Sequence, residues 1–323
     1  MLSPSEPSRA APPPSAPATV ATARVLYHGW PNCLRLTNRV AEVIVAPAIG
    51  RILQFHFLGQ EDVFWENPVL AGHAPDPRST EWGNFGGDKS WPAPQSGWSN
   101  ATGRSWPPPA GFDAVGVTAA TGRRGEVVLT SPVESNYGIR TVRRVVLDPD
   151  HPVLRVTTRY DKVAGPPCRV SVWVITQLRE PEAVHVPLPH PSHFAGGYLK
   201  QSEAFPVGLR VERDVVSLRR GPDTGTKIGT DASVLIWEGR TVGLRIDSPR
   251  VPGVEYPDGG CSAEVWTNPD PLPYVELEML GPLQTLRAGD RLERTSSYTL
   301  FHRGNAPAGS PVPDGASPTK LRP

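Results

Sequence analysis

Runs of alternating apolar and polar residues, rich in Val, Ile, Leu and Thr, recur along most of this chain. A period of two is the mark of half-buried strands. The clearest runs are 41–46, 51–58, 114–119, 126–131, 139–147, 153–160 and 169–178, then 209–211, 234–238, 242–247, 263–266, 274–280 and 291–301. Turn signals separate them, among them Asp148-Pro149-Asp150, Ala164-Gly165-Pro166 and Glu238-Gly239. No stretch reads as a long amphipathic helix. The 39 prolines disfavour helices, yet they fall mostly between the runs, where a missing N–H costs nothing. So many short strands in succession imply a sandwich or barrel in place of βαβ units. The expected fold is all-β, one large antiparallel sandwich of two packed sheets. With no internal repeat, a propeller is set aside.

The two ends differ from the middle. Residues 1–23 are mostly Pro, Ala and Ser, and 304–323 have the same character, so both are expected to be disordered around a folded domain at 24–303. The opening residues lack the charged start and apolar core of a secretory signal, which leaves the cytoplasm as the default location. A net charge of +1 points to neither a nucleic acid nor a membrane surface as partner. No apolar run approaches the roughly 18 residues of a spanning helix. Cys33, Cys168 and Cys261 are odd in number, far apart and without metal-type spacing, so neither disulfides nor a metal centre is expected. No glycine loop leads into a helix and no G-x-S-x-G elbow occurs, so no cofactor is implied.

One segment stands apart. Trp82, Trp91, Trp98 and Trp106 lie in a stretch so rich in Gly and Pro that it reads as a long loop. Beside these rings are Asn84, Asp88, Lys89 and Gln95. Flat apolar faces next to directed polar groups suit a sugar, with its C–H faces and hydroxyl rim. The alternative is an irregular loop pinned to the core by its tryptophans. Asp88 and Lys89, on a Gly-Gly turn, are read either as ligands for hydroxyls or as a turn cap beside a solvated lysine.

Three further stretches carry a family resemblance. The first is Val43-Ile-Val-Ala-Pro-Ala-Ile-Gly-Arg-Ile-Leu-Gln-Phe55, continued by Glu61-Asp-Val-Phe-Trp-Glu-Asn-Pro68. The second pairs the 154–160 and 169–178 runs as a central hairpin. The third is Tyr274-Val-Glu-Leu-Glu-Met-Leu-Gly-Pro282, then Leu286-Arg-Ala-Gly-Asp290 and a closing strand. Together they resemble the galactose mutarotase-like superfamily over roughly residues 25–301. The 83–95 segment looks more like an uncharacterised bacterial branch than like the aldose epimerases. The resemblance implies a β-supersandwich with a carbohydrate-sized groove on one concave face, a sugar or sugar derivative as ligand, and Arg51, at the start of a return strand, among the substrate-binding residues.

The aldose epimerases of that superfamily use a Glu as base on the anomeric hydroxyl and a His that protonates the ring oxygen. Glu278 matches the base position. Strand alternation puts Glu276 on the same face, with Val275, Leu277 and Met279 opposite. Two carboxylates side by side raise one pKa, which suits proton transfer. The His is not matched: its position falls near Gln177, which hydrogen-bonds but does not titrate. His185, His190 and His193 are expected on a surface loop, His56 in a structural role, and Trp30 along the groove. Arg140, Arg143 and Arg144 read mostly as a solvated face, and Glu134 and Asn136 as a junction facing the groove. The resemblance therefore implies a carbohydrate-binding protein of the mutarotase-like class, with epimerisation of an aldose or sugar derivative by Glu278 as an expectation that the missing His leaves open. The alternative is a non-catalytic carbohydrate-binding module using the Trp-rich segment.

Overall fold

The computed structural model describes residues 19–76, 79, 81–122 and 125–304. The expected disordered ends therefore lie mainly outside the described residues, and Ala21–Ala23 already belong to the first strand, Ala21–Tyr27. Among the described residues, one sheet has eleven strands and the other ten, and every pairing in them is antiparallel. This is the large two-sheet sandwich that the alternation implies.

The first sheet carries the candidate site. Its middle runs in the order Arg51–Phe57, Asp88–Ala93, Cys168–Arg179, Tyr274–Leu280, Ala263–Thr267, Thr226–Thr230. The second sheet is centred on Val242–Asp247, Arg291–His302, Val153–Lys162 and Ile139–Leu147. Between them lies a core of Val43, Phe55, Val145, Val156, Leu244, Val265, Val275, Leu277, Met279 and Leu300, all essentially without solvent contact. Each such aliphatic side chain removed from water stabilises the fold by about 1.5–3 kcal/mol before entropy is counted. The runs read as a central hairpin are consecutive but do not pair. Val153–Lys162 and Cys168–Arg179 sit in different sheets, so the link between them crosses the sandwich.

The Trp-rich segment is not a loop throughout. Asp88–Ala93 is a strand, paired with Cys168–Arg179 from Thr176↔Asp88 to Ser171↔Ala93. Its entry needs the two preceding glycines. A Cβ on Gly86 would sit 2.3 Å from the Trp65 carbonyl oxygen, and one on Gly87 2.5 Å from that of Ile52. Both also have positive φ. The Arg51–Phe57 strand touches this one only at Ile52↔Asp88. Beyond that point the second edge is open, and Pro92 is tolerated there. After the strand, Gln95–Gly97 and Trp98–Thr102 form two short helical turns.

Candidate functional site

Directly paired residues of antiparallel strands point to the same side of the sheet. The register therefore defines two rows on the face turned away from the second sheet. One row runs Lys89–Ile175–Glu278–Glu264–Gly229. The next runs Gln177–Glu276–Trp266–Lys227. Trp91 and Trp173 pair in a third row. Lys89, Gln177, Glu276 and Glu278 thus share a face. Strand alternation joins Glu276 to Glu278, as the sequence implies.

The charges close on one another diagonally between the rows. Lys89 Nζ lies 3.4 Å from Glu276 Oε1, which also accepts from Gln177 Nε2 at 2.8 Å. Lys227 Nζ reaches Glu264 Oε2 at 2.7 Å and Glu278 Oε2 at 3.0 Å. Trp173 Nε1 donates to that same Glu278 oxygen at 2.7 Å. Gln201 Nε2 donates to Glu264 Oε1 at 2.8 Å. Asn84 Nδ2 donates to the Tyr274 hydroxyl at 3.1 Å. Four buried acceptors on or beside this face have no protein partner: Asn84 Oδ1, Gln177 Oε1, Gln201 Oε1 and Glu278 Oε1. For both glutamines the amide N–H is taken by a glutamate, which fixes the carbonyl oxygen as the free end.

Burial tunes these groups. Withdrawal from water pushes the Glu278 carboxyl up to about 8; Glu264 and Glu276 add to the shift and Lys227 opposes it. Lys227 also loses solvation, but its two carboxylates hold its proton more tightly than usual. Lys89 goes the other way: desolvation lowers its pKa, and Glu276 only partly compensates. Asp258, beside this group, is pushed up to about 6, chiefly by burial and then by Glu264. Access is from one side. Lys89 and Glu278 are sealed, whereas Lys227 and Trp266 are half-buried and Glu276 retains 8% exposure.

The aromatic wall is built around Asp113, which the sequence did not single out. Its Oδ1 accepts from Trp91 Nε1 at 2.8 Å and from Arg51 Nη2 at 2.8 Å, and its Oδ2 from Trp82 Nε1 at 3.0 Å. Lys89 Nζ sits 4.9 Å from the Trp91 ring centre and 5.6 Å from that of Trp82. Trp82, Trp98, Trp106 and Trp173 all pack on Trp91 with ring centres 5.4–5.9 Å away. The tryptophans therefore pin this segment to the sheet, and Trp82 and Trp106 keep solvent exposure.

Other residues are placed away from this face. Asp88 points between the sheets, where it binds Arg143, the Thr176 hydroxyl at 2.7 Å and the Tyr298 hydroxyl at 2.6 Å. It neither caps a turn nor shares the face of Glu276 and Glu278, and Lys89 is buried instead of solvated. Arg143, expected in a solvated face, is the buried partner of Asp88, because alternation turns it inward from Arg144. Gln95 lies past the end of the strand, in the first helical turn. Arg51 is fully buried and donates to the Gly86 carbonyl and Asp113, so it supports the wall from behind. His185 is no loop residue: it sits in the strand Ala183–Pro187 of the second sheet, bonded to Ser217 and Glu238. Trp30 packs in a core pocket with Phe85 and Ile49. Glu134 turns to Asn136 and the Tyr137 N–H, holding its own turn together.

Among solved structures, a galactose mutarotase-like protein of Lactobacillus casei aligns over 83% of this chain and 100% of its own, with 8% identity and a TM-score of 0.55. The fold is galactose mutarotase-like. A galactose mutarotase related enzyme of Lactobacillus acidophilus aligns with a TM-score of 0.52 and 8% identity, over 83% and 97% of the two chains. A TPR-domain containing protein of Parabacteroides distasonis gives 0.56 and 15%, over 90% of this chain and 50% of its own. No family model matches, and no curated relative matches by sequence. At these identities the likeness covers the fold alone.

Within this mutarotase-like sandwich, Lys227, Glu264, Trp173, Trp266, Gln201 and Asp113 complete a face of which the sequence offered only part. Glu264 and Trp266 were available from the 263–266 alternation once its register against Glu276 and Glu278 is known. Lys227 lies in Thr226–Thr230, a run of five residues that Gly225 precedes and Gly229 interrupts, so its alternation is too short to read.

Proposed function

We propose that this face binds a sugar, and that Glu278 is the base that exchanges its anomers. The observation that carries the reading is the set of four unpartnered acceptor oxygens beside Glu276, Glu278 and the aromatic wall. A ring bearing several O–H donors satisfies such a set, whereas a buried acceptor left unmet costs about 1–3 kcal/mol. The mutarotase-like fold of the neighbours supports the same ligand class. In this reading Asn84, Gln177 and Glu276 receive hydroxyls, Trp82 and Trp91 flank the ring, and Lys89 orients Glu276. Glu278 Oε1 takes the proton of the anomeric hydroxyl as the bond from the anomeric carbon to the ring oxygen opens, and the departing ring oxygen takes up a proton from solvent water, giving the open-chain aldehyde that recloses on either face. Lys227 and Trp173 hold Oε2 and keep the carboxylate in place.

Binding without turnover is the second reading, and one observation favours it. Residue 177 is a glutamine whose N–H is committed to Glu276, and neither row contains a histidine. Exchange-spectroscopy NMR on a panel of aldoses and uronic acids separates the two. Accelerated α/β exchange supports the epimerase, and line broadening without exchange supports the binding module. Silence across the panel overturns monosaccharide recognition in either form.

A further inference from the structure

A cleft of about 220 Å³ shares Trp82 and Asp113 with the aromatic wall but is lined by none of Lys89, Glu276 and Glu278. Its lining includes Trp82, Phe85 and Pro107 together with the charged residues Glu81, Arg104 and Asp113. Two features tie it to the sheet face. Trp82 borders both, with Lys89 Nζ 5.6 Å from its ring centre. Asp113 also borders the cleft while bonding Trp82 and Trp91. The polar row on the sheet is itself long. From the strand of Lys227 to that of Lys89 there are four strand steps. At about 4.8 Å each they give about 19 Å, longer than a single pyranose ring.

We propose that the ligand is an oligosaccharide, with one unit on the Glu276–Glu278 face and a further unit in the cleft beyond Trp82. This rests on the sugar-binding reading of the face and adds the size of the ligand. The chemistry of the cleft fits a second sugar ring. Aromatic and prolyl surfaces suit its C–H faces, and Arg104 in the lining offers donors to its hydroxyl oxygens. Trp82 then lies between two consecutive units and fixes the direction of the chain.

Titration calorimetry tests this with glucose and galactose against maltotriose, cellotriose and β-1,4-galactotriose. At least one trisaccharide is expected to bind tenfold or more tightly than its monosaccharide. Ala110→Trp, an exposed position on the cleft wall, fills the space and is expected to erase that gain while leaving monosaccharide affinity unchanged. Arg104→Ala, which adds no bulk, is expected to reduce the gain severalfold and guards against a folding defect in the first variant. Equal affinity for mono- and trisaccharides, or a gain that survives both substitutions, overturns the cleft as a subsite and leaves the sugar-binding face standing. No binding by any of these sugars overturns both.

Discussion

Asp88 and Lys89 are adjacent in sequence and face opposite sides of the same sheet. The first anchors the two sheets to each other through Arg143, Thr176 and Tyr298. The second projects among Glu276, Trp82 and Trp91. Substituting Asp88 is therefore expected to lower stability alone, and substituting Lys89 to lower ligand binding as well. Asp88→Ala leaves the Arg143 guanidinium buried without a counter-charge, and denaturant melts should show a loss of about 3–5 kcal/mol. Lys89→Met leaves Glu276 without its buried counter-charge and so also costs stability, and because Glu276 loses the group that orients it, ligand titration on the folded variant should show roughly tenfold or greater weakening. Equal effects of both substitutions on stability, with none on binding, would put Lys89 outside the site.

Glu278 sets the expected pH behaviour. With its carboxyl pushed up to about 8, the base form is a minority at neutral pH. Anomer exchange should rise with pH and level off above about 8, and Glu278→Gln should abolish it at every pH. A flat rate from pH 6 to 9 would remove Glu278 from the proton transfer.

The same shift is linked to stability. The folded pKa lies above the unfolded one, so between roughly pH 4.5 and 8 the native state holds a proton that the unfolded chain releases. This contribution is fully present below about pH 4.5 and is lost as pH rises through about 8. Its slope is at most about 1.4 kcal/mol per pH unit. Melts of the wild type and of Glu278→Gln across that window should differ in slope, with the variant flatter. Identical slopes would mean that Glu278 titrates as a solvent-exposed acid does.

Asp113 gathers three donors from three places in the chain, Arg51, Trp82 and Trp91. Asp113→Ala is expected to destabilise the fold by about 3–5 kcal/mol, because the fully buried Arg51 loses its counter-charge. Trp82 also loses its anchor, so tryptophan emission should shift to the red as its indole becomes mobile in water. An unchanged spectrum would mean that the stacked rings alone hold Trp82.

Gln177→His places a titrating ring on the Glu276 row. It is expected to raise the exchange rate and to add an acid limb to the pH profile, since a protonated imidazole serves the departing ring oxygen. A loss of both binding and exchange would show instead that the Gln177 carbonyl is needed as an acceptor.

The alternation of polar and apolar residues made the sandwich legible. It is a local property, and each strand satisfies it separately. It also put Glu276 and Glu278 on one face correctly. Asp88–Ala93 was not legible, because Gly and Pro dominate its surroundings. The reason it is a strand is non-local: the close approach of Trp65 and Ile52 that only Gly86 and Gly87 permit. Lys227 and Glu264 join the site through register between distant strands, which no single segment encodes. Arg143 and His185 show the same limit from the other side. Read alone they resemble surface residues, and their burial follows from what the opposite strand or sheet supplies.

Each lysine on the face is closed by carboxylates a few ångströms away, Lys89 by Glu276 and Lys227 by Glu264 and Glu278. Such paired charges cancel at a distance, so this surface casts little electric field into solution. For the sugar proposed as its ligand, capture is then expected to be governed by fit after contact, not by attraction beforehand, with an association rate that added salt leaves nearly unchanged.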